Sequence, residues 1–165
     1  MAMPVMVLLN RLTENYNIRN IKFIGSPDGG GDTANVYSSR NIWLDHCEFV
    51  DGGDGQLDIV HGCTNITVSW CKFWYTEQTG HQNAMLIGHS DGAKDSGKNN
   101  VTLHHNWWWK NVAERQPRVR YGKIHIYNSL YEATPGFTSY AIRPAYKANI
   151  RSESNIFKNF SGQSK

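Results

Sequence analysis

The stretch Asn41-Ile-Trp-Leu-Asp-His-Cys-Glu-Phe49 returns as Asn65-Ile-Thr-Val-Ser-Trp-Cys-Lys-Phe73 and again as Asn100-Val-Thr-Leu-His-His-Asn-Trp-Trp108. Weaker copies begin at Asn20, Lys123 and Asn149, so the six starts stand 21, 24, 35, 23 and 26 residues apart. Periods of about 20–50 residues are the signature of stacked repeats, in which one short unit buries its apolar face only against its neighbours. Within each unit the second and fourth residues are apolar (Ile42 and Leu44, Ile66 and Val68, Val101 and Leu103, Ile124 and Ile126). That alternation predicts strands with one buried face, whereas a helix needs apolar residues three and four apart.

The seventh position is small or amide-bearing (Cys47, Cys71, Asn106, Ser129, Asn155), and the ninth is mostly aromatic. If each unit is one coil of a right-handed parallel β-helix, these positions superpose about 4.8 Å apart and build an interior polar ladder beside an aromatic stack. An antiparallel sandwich shares the short strands but does not explain the repeated side-chain types. The expected fold is therefore all-β, a single parallel β-helix domain over residues 1–165. Residues 1–17 form a terminal strand or cap, although the apolar Met1–Leu9 also reads as a cloning remnant. The glycine-rich run 89–99 fills the one long interval as an inserted loop.

The net charge of +3 is too mild and too scattered to argue for nucleic acid, and no segment is long and apolar enough to predict a membrane span. No signal peptide is visible, and the reading favours a mature or trimmed secreted protein over a cytoplasmic one. Of the three cysteines, Cys47 and Cys71 share a repeat position, where a buried stack explains them better than a disulfide.

A dry solenoid interior leaves chemistry to loops and outward-facing residues. Asp51-Gly-Gly-Asp54-Gly-Gln-Leu-Asp58 gathers hard oxygen ligands at a turn, suited to Ca²⁺ if it is more than a solvated turn. Arg115-Gln-Pro-Arg118-Val-Arg120 places Arg118 and Arg120 on one face of a stiff segment, a planar donor set suited to carboxylates unless these are salt-bridged surface arginines. His46, His104, His105 and His125 fall in different coils and are not expected to bind zinc. Trp108 should point inward, leaving Trp107 or Trp109 as a sugar platform.

Taken in order, Asn41-Ile-Trp-Leu-Asp-His46, Asp54-xxx-Asp58-Ile, Asn65-Ile-Thr-Val-Ser-Trp70, Leu86-Ile-Gly-His-Ser-Asp91, Val101-Thr-Leu-His-His-Asn106 and Arg115-xPxxArg120-Tyr-Gly-xxHis125 resemble the signature blocks of the pectate lyase family. The resemblance spans roughly residues 18–157. It implies Ca²⁺-dependent β-elimination of pectate (polygalacturonate), with Asp32, Asp54 and Asp58 as metal ligands, Arg115 as the base and Arg120 gripping a substrate carboxylate. The family's usual substrate-binding lysine is replaced by Asn83, which can hydrogen-bond but cannot neutralise, so a methyl-esterified pectin or a non-catalytic pectin-binding role are the alternatives. Hydrolysis by grouped aspartates is a third, against which the paired arginines count. Arg118 is expected to assist substrate binding. A chain with fewer coils than the family norm is expected to be a monomer or to associate weakly through its ends.

Overall fold

A computed structural model describes residues 7–10, 14–26 and 29–160. Three six-stranded parallel sheets run along one axis, each coil contributing one strand to each sheet. The second coil, for example, comprises Ala34–Tyr37, Arg40–Asp45 and Glu48–Val50. The third comprises Leu57–Val60, Thr64–Ser69 and Lys72–Trp74. The expected parallel β-helix is present.

Its interior is the alternating set anticipated from the repeat. Ile42, Leu44, Ile66, Val68, Val101, Leu103, Ile124 and Ile126 are all buried. Phe23, Phe49, Phe73, Trp108, Tyr131 and Phe157 stack ring on ring, with neighbouring centroids 4.3–5.8 Å apart. Beside them runs the polar ladder. Cys47 N–H donates to Cys71 Sγ at 3.4 Å, Cys71 N–H to Asn106 Oδ1 at 2.9 Å, Asn106 N–H to Ser129 Oγ at 3.1 Å and Ser129 N–H to Asn155 Oδ1 at 2.9 Å. Each rung thus satisfies a backbone donor that a sharp turn would leave bare in a dry interior. Cys47, Cys63 and Cys71 are free and buried, so the ladder reading of Cys47 and Cys71 holds over the disulfide.

The sharp turn itself repeats. Asn20, His46, Trp70, His105, Asn128 and Ser154 all have positive φ, between 50° and 58°, immediately before the ladder position. Non-glycine residues tolerate this left-handed region only when the surroundings over-determine it, and here the flanking sheets do so.

Two boundaries differ from expectation. The first copy begins at Asn15 rather than Asn20: Tyr16 pairs with Ile42, Ile18 with Leu44 and Phe23 with Phe49. Asn20-Ile21 imitates an Asn-Ile start but occupies the tight turn. Residues 7–10 pair with Ala34–Tyr37 as a strand of the first sheet, and 14–19 belong to the first coil; the remainder of the expected 1–17 cap lies outside the described residues. The surplus in the long interval is also divided. Phe73 to Ile87 is four residues longer than the paired span Phe49 to Ile59, and Ile87 to Val101 is seven longer than Ile59 to Ile66. The loop at 88–99 does not simply leave the solenoid. The buried Asp95 accepts from Gly62 N–H at 2.5 Å and His89 N–H at 2.8 Å, which pins it back.

Candidate functional site

The outer face of the first sheet, with the segments that enter it, forms a groove of about 520 Å³. Asp32, Asp54, Asp58, Arg115, Arg118 and Arg120 all line it, although they lie as many as 88 residues apart in sequence. Strand alternation explains part of the convergence. Val36, Ile59, Ile87 and Val119 point inward, so Asn35, Asp58, Arg118 and Arg120 point out. The turn from the third sheet back to the first supplies Asp32, Asp54 and Arg115.

Asp58 is buried and accepts the Leu86 N–H at 2.9 Å. Burial, reinforced by the charge of Asp32, holds its carboxyl well above the usual carboxylate range despite that bond and the nearby Arg115. Asp32 is also raised, first by burial and then by Asp54, against an opposing hydrogen bond from Asn35. Asp32 Oδ1 is buried without a hydrogen-bond partner. A Cβ on Gly55 would lie 2.7 Å from Asp32 Oδ1 and 3.2 Å from Asp58 Oδ1, so only glycine lets these two carboxylates approach from either side.

Asp54 is turned elsewhere: its Oδ1 lies 3.0 Å from His81 Nε2 and 3.9 Å from Arg115 Nη1. Among the described residues no three His, Cys, Asp or Glu side chains close into a metal cluster. Two crowded carboxylates, one of them with an orphaned oxygen, and a third at the rim nonetheless suit a hard cation that completes its shell with water or substrate oxygens. The donor set fits Ca²⁺ through Asp32 and Asp58, with Asp54 joining if it releases His81.

The arginines are poised for anions. Arg115 Nε and Arg118 Nε are buried with no partner among the described residues, an expensive state for a permanent cation unless an anion completes it. The Arg120 Nε donates to Asp91 Oδ1 at 2.9 Å, and Tyr121 O–H donates to Asp91 O at 2.7 Å, so the pinned loop places a carboxylate on Arg120. Arg115 has φ of 59°, as do many turn residues in this chain, so its backbone does not single it out.

Asn83 is placed differently from the other candidates. Its side chain is buried behind the groove, where Nδ2 donates to Asp54 O at 2.9 Å and lies 3.0 Å from His81 Nε2. Trp108 is fully buried, but Trp107 and Trp109 lie on the third sheet against Lys72, whose Nζ is 4.6 and 3.8 Å from their rings. His46, His104, His105 and His125 likewise do not line the groove. Sequence reading missed Asn35, Tyr37, His61 and His89, which do. Asn35 and Tyr37 carry a period-two signal around Val36; the two histidines stand at strand exits and have no periodic signal.

Comparison with known proteins agrees with this fold. The sequence model of the family described as pectate lyase matches residues 6–164. The chain is 42% identical over 129 residues to a pectate trisaccharide-lyase of Thermotoga maritima, covering 72% of this chain and 34% of that protein. It is 38% identical over 169 residues to pectate lyase 4 of Ambrosia artemisiifolia, covering 94% and 41%. The solved structure of a pectate lyase studied for its anti β-elimination mechanism superposes with a TM-score of 0.74 at 30% identity, covering 88% of this chain and 44% of that one. A pectate lyase from Bacillus sp. N165 in complex with trigalacturonate gives a TM-score of 0.70 at 25% identity, with 90% and 58% covered. The chain spans about a third to two fifths of the length of these curated relatives.

Proposed function

Because this chain belongs to the pectate lyase family, we propose that it cleaves (1→4)-α-D-galacturonan by Ca²⁺-dependent β-elimination. The observation that carries this reading is a single groove in which crowded carboxylates, Asp32 and Asp58, face arginines whose buried Nε atoms lack partners. One side calls for a cation and the other for an anion. A polyuronate carrying Ca²⁺ supplies both.

Asp32 and Asp58, joined by Asp54, would hold the ion, which when bound supplies Lewis-acid stabilisation to the sugar carboxylate. Arg120 and Arg118 grip uronate carboxylates with charge-assisted bonds, Asp91 being displaced from Arg120. Arg115 takes the proton from C5; the electron pair forms the C4–C5 double bond, the C4–oxygen bond breaks, and the leaving oxygen takes up a proton. A guanidinium is a poor base while protonated, so the reaction should favour alkaline conditions. Asn83 supports Asp54 from behind rather than meeting substrate. The polymer lies outside cells, so we place the site of action there.

Polygalacturonate incubated with the protein at alkaline pH, with Ca²⁺ or with a chelator, tests the reading through the ultraviolet absorbance of unsaturated product. Product that needs Ca²⁺ supports it. Retention on pectin without product would indicate a binding solenoid, and new reducing ends without unsaturation would indicate hydrolysis. Low- and high-ester substrates compared side by side decide between pectate and methylated pectin.

A further inference from the structure

Five of the seven histidines have a ring nitrogen bonded to the protein: His46 to Asp45, His81 to Asp54, His104 to His105, and His125 to Glu153. The two whose ring nitrogens have no partner among the described residues, His61 and His89, both line the groove. They belong to one stack: Tyr37 lies 4.1 Å from His61, and His61 lies 4.3 Å from His89, with planes within about 30°. The Tyr37 hydroxyl likewise has no hydrogen-bond partner among the described residues. Each ring comes from a successive coil, so the stack runs along the solenoid axis beside Asp58, Arg118 and Arg120.

Stacking occupies ring faces, so the polar atoms, all at the ring edges, are what these residues have to offer the groove they line. Burial and the neighbouring His89 lower the His61 pKa, keeping its imidazole neutral, and a neutral imidazole offers one donor and one acceptor. The coil spacing of about 4.8 Å is close to the length of one pyranose unit, so consecutive rungs can address consecutive sugars.

We propose that Tyr37, His61 and His89 form an edge-on hydrogen-bonding ladder that holds hydroxyl groups of a uronate polysaccharide along the wall of the groove, as a specificity-determining subsite separate from the reacting carbons. This rests on the galacturonan reading given above. It assigns the three rings to substrate affinity and not to proton transfer.

The test uses His61→Phe with His89→Phe, which keeps the stack and removes the nitrogens, alongside His61→Gln with His89→Gln, which restores a polar edge. Loss of two hydrogen bonds should raise KM for polygalacturonate about five- to thirtyfold in the Phe pair while kcat stays within about twofold, and the Gln pair should recover part of the difference. Melting temperatures near that of the parent confirm folding; if the Phe pair does not fold, the Gln pair compared with Tyr37→Phe gives the same readout. A Phe pair with the KM of the parent overturns the ladder and leaves the lyase reading intact. A parent that neither cleaves nor binds polygalacturonate overturns both.

Discussion

Arg115 Nη1 lies 3.9 Å from Asp54 Oδ1, so the proposed base and the rim of the proposed metal site are neighbours along the stacked turns from the third sheet to the first. The Asp54 carboxylate is thus shared between two claims: a cation drawn to it would compete with the guanidinium for the same oxygen. Arg115→Ala should lower kcat by about 10²–10⁴-fold, the range of a lost general base, with little change in melting temperature. The initial rate of unsaturated-product formation measures it, and a loss below tenfold would remove Arg115 from the reaction.

Asp58→Asn should separate metal binding from folding. The amide oxygen still accepts the Leu86 N–H, but the buried charge beside Asp32 is gone. Melts without Ca²⁺ should match or exceed the parent. With Ca²⁺ at about 100-fold over its Kd, the parent should gain roughly 5–10 °C and the variant almost nothing. An undiminished gain would place the ion elsewhere.

Asp91→Ala removes the carboxylate that sits on Arg120. Asp91 is two-thirds exposed, so the pair is weak, and freeing Arg120 should lower KM for polygalacturonate about two- to fivefold. A higher KM would mean that Asp91 orients Arg120 rather than occupying it.

Asn106→Ala breaks the interior ladder at its centre. It orphans the Cys71 N–H and the Val68 carbonyl, both buried, and should cost about 2–4 kcal/mol in urea unfolding. A loss under about 1 kcal/mol would mean water takes its place.

Acid should weaken the fold through Asp45. Burial alone would raise this carboxyl, but the Ser69 hydroxyl, His46 and Arg19 outweigh it and hold the pKa below its ordinary value. The stabilisation is thus complete above about pH 3.9, the unfolded value, and is lost as pH falls through the lower folded value. Asp45→Asn should flatten the acid limb of a stability-versus-pH curve below about pH 4 while lowering stability at neutral pH.

The interior of this protein was legible because it is periodic: the alternation of Ile42, Leu44 and their counterparts and the ladder position of Cys47, Cys71 and Asn106 state the coil directly. The first coil was misread because Tyr16 stands where other copies carry isoleucine or valine, while Asn20-Ile21 imitates the motif. The proposed site was legible in part: the residue types of the Asp54–Asp58 turn and the Arg115–Arg120 segment suggested a cation and carboxylates, while Asp32 and the individual roles came only through resemblance. Nothing in the spacing of Asp32, Asp58 and Arg118 says that they meet; the register of neighbouring coils decides that. Asn83 illustrates the limit most clearly, since position within a block did not reveal that its amide is already bonded to Asp54 O.

The eleven surplus residues of the third interval flank one short strand, Leu86–Ile87, which keeps its partners in both adjacent coils. Both insertions therefore open onto the rims of the groove while the hydrogen-bonded frame beneath stays in step. Lengthening or trimming either rim should leave Asp58 and Arg118 on their paired strands, whereas Asp54, held by His81 and Asn83, and Arg120, held by Asp91, depend on the rims themselves. A change of rim length therefore reaches the groove through two side chains, Asp54 and Arg120, and not through the frame that carries the others.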